Sequence, residues 1–182
     1  MSAPLTTSLR PHPATPCPAV AAIEVRIARQ ENGDLRLDYR IATDPAAPDT
    51  PRLPAPQPAG PADNLWQHTC CEAFITGPGA SYREFNLSPS GQWAVYDFSD
   101  IRQRNAAYVP AAAPTISFVT DDTGLSLHAH LPAALLPEGS ERRLGLSAVI
   151  EAADGRLSYW ALVHTEIQPD FHRREAFTLA LA

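Results

Sequence analysis

Residues 19–42 read AVAAIEVRIARQENGDLRLDYRIA. Ile23, Val25 and Ile27 alternate with Glu24 and Arg26, and Leu35, Leu37, Tyr39 and Ile41 alternate with Arg36, Asp38 and Arg40. An apolar repeat of two puts one set of side chains on one side of an extended chain, which is the pattern of a half-buried strand. Glu31-Asn32-Gly33-Asp34 lies between the two runs and carries Asn-Gly, so the stretch reads as a β-hairpin. Outward from it come further strand candidates: Cys70–Thr76, Tyr82–Ser88, Trp93–Phe98, Thr115–Thr120, Leu125–Leu131, Leu144–Ala152, Leu157–His164 and Ala176–Leu181. Their connectors GPGAS (77–81), SPSG (88–91), DDTG (121–124) and ADG (153–155) have turn chemistry. The one helix-like piece, PAALLPEG (132–139), is closed by Pro137 and Gly139 after a turn or two. About ten short strands with minimal helix make an all-β chain, and an antiparallel β-sandwich is the expected architecture.

Twelve of the nineteen prolines fall in residues 1–61. Residues 1–18 therefore read as a flexible Pro-rich lead-in to one domain over 19–182. Residues 44–61, DPAAPDTPRLPAPQPAGP, read as a long polyproline-like loop that could cover something, including the outer face of SYWALVH (158–164), which is apolar on both sides. Hydrophobic residues at 45% and charged residues at 19% allow a core and argue against disorder. All fourteen basic residues are arginine, against twenty acidic ones, for a net charge of −6. That balance speaks against non-specific nucleic-acid binding, which needs excess cations for phosphate. No run of eighteen apolar residues suggests a membrane helix. Arg10 comes late, and Pro11, Pro13, Pro16 and Pro18 break the chain after it, so no export signal is read and the expected location is cytoplasmic. Cys70 and Cys71 are neighbours that point to opposite faces, and no CxxC is present, so neither a staple nor a cysteine zinc site is expected.

The segment 65–98, LWQHTCCEAFITGPGASYREFNLSPSGQWAVYDF, departs from an ordinary sandwich. In its first strand Cys71, Ala73 and Ile75 face one way, and Cys70, Glu72 and Phe74 the other. In its second, Phe85 and Leu87 oppose Tyr82, Glu84, Asn86 and Ser88. Pairing through GPGAS would bring Glu72, Glu84 and Asn86 onto one sheet face, with Trp66, Trp93 and His68 at its margins. Carboxylates and amides that orient hydroxyls, flanked by flat rings, suit a small polar ligand with apolar faces such as a sugar. The bland alternative is a solvated face with the tryptophans in the core. Asn86-Leu87-Ser88 is also a formal glycosylation acceptor and would require an accessible Asn86.

The stretches LWQHTCCEAFI, YREFNLSPSGQWAVYDF, LSAVIEAADGRLSYWALVH and PDFHRREAFTLAL resemble the bacterial DOMON-like proteins, related to the DOMON superfamily and to family 9 carbohydrate-binding modules. The likeness spans about residues 20–182. It implies an immunoglobulin-like β-sandwich with a ligand site on one sheet face. In family 9 modules aromatic rings sandwich a terminal sugar while acids and amides bond its hydroxyls, and Glu72 lies in a segment similar to the acid-bearing strand. Haem-binding relatives use Met and His, and here the only methionine is Met1, so no cofactor is implied.

Other constellations are weaker. His128 and His130 are two apart on one strand face, a spacing that can chelate a metal or simply be solvated. In QPDFHRRE, Asp170 and His172 could form a polar ligand rim, or Asp170 could bond its own turn while Phe171 plugs the core. Gly-x-Ser-x-Gly, HExxH and a P-loop are absent, and Glu72 with Glu84 is the one pair that could serve a glycosidase. The sequence therefore reads as a non-catalytic binder of a small, carbohydrate-like molecule. The alternatives are a scaffold or homodimer formed at a sheet edge, or a haem or metal binder.

Overall fold

A computed structural model describes residues 4–44, 46–47 and 50–181. The strands are β1 (Leu5–Pro11), β2 (Val20–Arg29), β3 (Leu35–Thr43), β4 (Pro51–Arg52), β5 (Gly60–Pro61), β6 (Cys70–Thr76), β7 (Tyr82–Leu87), β8 (Gln92–Asp100), β9 (Gln103–Arg104), β10 (Thr115–Asp121), β11 (Gly124–Leu131), β12 (Arg142–Ala152), β13 (Leu157–Ala161) and β14 (Leu179–Leu181). Among the described residues, helix is confined to three short 3-10 turns at Leu65–Gln67, Ala133–Leu135 and Arg174–Ala176. The chain is all-β.

The strands join in the order β10-β11-β3-β2-β1-β13-β12-β6-β7-β8-β5, with β14 and β4 beside β12 and β9 beside β8. Among the described residues, every pair is antiparallel except β5 with β8. The expected antiparallel immunoglobulin-like sandwich is thus realised in part. Two halves do face each other, but they belong to one curled, mixed sheet. Two features make it so. The proline loop returns Gly60–Pro61 in the same direction as β8, and β1 is bonded to both halves.

Strand β1 also corrects the expected lead-in. Leu5–Leu9 pair with Ile27–Ile23 of β2, then Arg10 and Pro11 pair with Ala161 and Trp160 of β13. Apart from Leu9, which is buried, β1 buries little of itself. Neighbours on both halves hold it by backbone hydrogen bonds, which apolar patterning does not report. The prolines at 11, 13, 16 and 18 end the strand without preventing it. The proline loop is likewise anchored, through β4 on β12 and β5 on β8, with the Thr69 hydroxyl donating to the Arg52 carbonyl at 2.6 Å.

Alternation in β2 and β3 turns Ile23, Val25, Leu37 and Tyr39 inward, where they meet Ala73, Phe85, Leu146 and Ala148 from the other half. The buried Tyr39 hydroxyl crosses this core and donates to the Glu72 carbonyl at 2.7 Å. The opposite face of β6, β7, β8, β12 and β13 is left for another purpose. A second apolar cluster centred on Phe74, Tyr82, Phe98 and Phe177 lies there, with Ala176, Phe177 and the half-buried Phe171 supplied by the segment between β13 and β14.

Candidate functional site

The outward face of the second half carries a cleft of about 590 Å³, a volume suited to a small ligand. Register builds its floor. Glu72 on β6 lies opposite Asn86 on β7 and Ser147 on β12, while Glu84 on β7 lies between Phe74 and Tyr96. Glu72 and Glu84 both line the cleft although only 2% and 5% exposed. Ser147 Oγ donates to Glu72 Oε2 at 2.8 Å, and Asn86 Nδ2 donates to Glu84 Oε1 at 2.6 Å. Phe74, Tyr96 and Phe98 continue the floor, and Tyr159 and Phe171 form a wall with ring centres 5.9 Å apart. Trp66, on the 3-10 turn before β6, stands at the rim 45% exposed. Arg102 and Arg104 complete the mouth.

His172 enters the cleft among Phe74, Phe98 and Tyr82. Its partners set its tautomer. The Arg102 backbone N–H donates to Tyr82 Oη at 3.1 Å, and Tyr82 Oη lies 2.7 Å from His172 Nδ1. With Oη already accepting, its O–H is placed to donate to Nδ1, the tautomer that puts Nε2–H on the side of Glu84 Oε2, 3.8 Å away. Burial, then the Arg102 charge, push His172 down to about 4 against the pull of Asp170, so the ring is neutral at physiological pH.

Burial, and then the charge of Glu84, push Glu72 well above the usual carboxylate range, opposed by the Ser147 bond. Burial raises Glu84 too, opposed by Asn86 and by the positive charges of Arg102 and Arg104. Two such groups in one low-dielectric hollow resist double ionisation. Both titrate higher folded than unfolded, so between those values the folded chain holds extra protons and stability falls as pH rises. Below the unfolded value the two states are equally protonated and the penalty vanishes. Glu84→Gln, which keeps the oxygen that Asn86 bonds, is expected to stabilise the fold by about 2 kcal/mol at pH 8 and by almost nothing at pH 4. Urea melts at the two pH values measure this.

Of the residues singled out from sequence, Trp66, Glu72, Glu84 and His172 come together in the cleft. Asn86 is wholly buried beneath it, orienting Glu84, so the glycosylation acceptor is inside the fold. Asp170 accepts from Arg102 at 2.8 Å and from the His172 backbone at 3.1 Å, and forms an ion pair with Arg173 at 3.0 Å. It clamps the turn that presents His172 and is not part of the lining. Asp170 thus bonds its own turn, and Phe171, half-buried, packs against the second apolar cluster while walling the cleft. Trp93 pairs with Leu87 and packs on the main core, because odd positions of β8 face inward. His68 is drawn to the sheet end by Glu151, at 2.7 Å, which Arg52 also bonds. His128 and His130 each pair with an aspartate, Asp38 and Asp34, on the far half. Among the described residues no group of three metal-ligating side chains occurs.

Sequence reading does not reach Tyr96, Phe98, Tyr159, Arg102 and Arg104. For the first two a signal is present: they share strand parity with Ala94 and oppose Val95. The arginines sit on or beside the two-residue strand β9, reached through a turn in which Arg102 has φ of 56°.

No family model matches the sequence, and no curated protein matches it. Solved structures do resemble the fold. A candidate carbohydrate-binding protein from Bacteroides uniformis aligns with a TM-score of 0.64 at 14% identity, covering 94% of this chain and 83% of that one. A family 9 carbohydrate-binding module from Caldicellulosiruptor kristjanssonii, solved with cellotriose, aligns with a TM-score of 0.52 at 8% identity, covering 86% of this chain and 71% of that one. At such identities the likeness is one of fold.

Proposed function

We propose that the cleft binds a saccharide and releases it unchanged. The observation that carries this reading is the pairing of two buried carboxylates with an aromatic enclosure on one sheet face. Sugar rings present C–H faces that lie against Phe74, Tyr96, Tyr159 and Trp66, and hydroxyls that donate to Glu72 and Glu84 and accept from His172 Nε2–H. A resemblance in fold to a module solved with cellotriose supports the same class of ligand. The floor is fixed by strand register, so little ordering is needed on binding, and that favours affinity.

A panel of mono- and oligosaccharides in a thermal-shift assay tests the proposal. A ligand of the folded state raises the melting temperature with concentration, by mass action. No shift with any sugar up to tens of millimolar would remove the saccharide reading. The raised, unequal carboxyls also suit a glycosidase acid, so the same mixtures are analysed for cleavage products. Products that vanish with Glu84→Gln would make the protein an enzyme.

A further inference from the structure

The charges around the cleft do not balance locally. At the mouth, Arg102 is met by Asp170 at 2.8 Å, and Arg104 by Asp63 at 3.6 Å while lying over the Tyr96 ring at 3.9 Å. Arg173 spans Asp170 and Glu166 at 3.0 and 3.2 Å. Three cations there face three anions. Glu72 and Glu84 remain on the floor, and among the described residues no arginine pairs with either one. Each already accepts one neutral hydrogen bond, from Ser147 or Asn86, and among the described residues no hydrogen bond reaches Glu84 Oε2 or the other Glu72 oxygen. These two oxygens belong to side chains more than nine-tenths buried, in a cleft that both acids line.

The charges of Arg102 and Arg104 reach Glu84 only from a distance, and a buried acid pair without a direct ion-pair partner is costly unless it keeps a proton or receives a cation. The enclosure suits a cation. Phe74, Phe98, Tyr159 and Phe171 line the space together with Tyr96, whose ring already holds a guanidinium, and aromatic rings attract ammonium groups. Building on the saccharide reading above, we propose that the sugar bound here carries a protonated amine, seated between Glu72 and Glu84.

The chemistry is an exchange of charge with no covalent change. The ammonium donates N–H bonds to the two open carboxylate oxygens, and the proton that the pair held leaves to solvent. The other titratable groups facing the pair do not compete for it. Burial holds the Cys70 thiol and the Tyr159 and Tyr96 phenols protonated, and His172 is neutral.

Three β-1,4 disaccharides that differ only at C2 test the idea by calorimetry: the diamine of glucosamine, its di-N-acetyl form and cellobiose. At pH 7 the diamine is expected to bind at least tenfold more tightly than the other two. Repeated in buffers of different ionisation heat, its binding is expected to release about one proton, whereas cellobiose releases none. Glu84→Gln and Glu72→Gln are each expected to shrink the tenfold preference to less than threefold. Equal or tighter binding of cellobiose, or no proton release with the diamine, overturns the amine assignment while leaving a saccharide site. Failure of all three disaccharides and of the wider sugar panel overturns both.

Discussion

Trp66→Ala is expected to weaken saccharide binding about thirtyfold while leaving the melting temperature of the free protein unchanged. The indole stands at the rim, nearly half exposed, and among the described residues its ring stacks on no other and its side chain makes no hydrogen bond. A substitution there costs the fold little, since exposed positions without structural partners are usually neutral. A bound sugar, however, would cover the ring, and burying an aromatic face of that size is worth roughly 2 kcal/mol. Titration calorimetry and thermal melts on the substituted and parent proteins supply both numbers. Unchanged affinity would place the ligand deeper, against Tyr159 and Phe171. A lowered melting temperature would assign Trp66 to the scaffold.

Gly145→Ala is expected to destabilise the protein by about 1–3 kcal/mol and to weaken binding as well. Gly145 lies on β12 opposite Phe74, and a Cβ built there would overlap Phe177 Cδ1 and lie 3.0 Å from Cε1. Phe177 is buried and stacks on Phe74 at 5.6 Å, and Phe74 forms part of the cleft floor. One methyl group therefore displaces a ring in the packed layer and, through it, a ring of the site. Adding Phe177→Leu should restore most of the stability, because the clash is with the ring itself. Denaturant midpoints report the first effect and sugar titrations the second.

The two halves of the fold are legible in the sequence to different degrees. The hairpin of β2 and β3 and the parity of β6 and β7 depend on local alternation and turn chemistry, and there the burial of alternate residues is unambiguous. Parity alone places Glu72 and Glu84 on one face. Trp93 misleads when ring type is weighed above parity: Tyr96 and Phe98, not Trp93, share the face with Glu84. Tyr159 and Phe171 are harder, since their meeting depends on β13 docking on β12 and on residues 162–173 crossing the sheet. Such contacts are long-range and leave no periodic trace. Strand β1 is hidden for a related reason. Its hydrogen bonds are set by edges that β2 and β13 offer, and the prolines nearby speak for an irregular chain.

That strand also governs how the molecule comes apart. Because Leu5–Leu9 complete one edge and Arg10–Pro11 the other, peeling it away bares two sticky borders at once. A loosened N-terminal segment from one copy could re-seat in the vacated slot of another, so reciprocal strand exchange is the natural route by which this protein would form tangled dimers or longer chains.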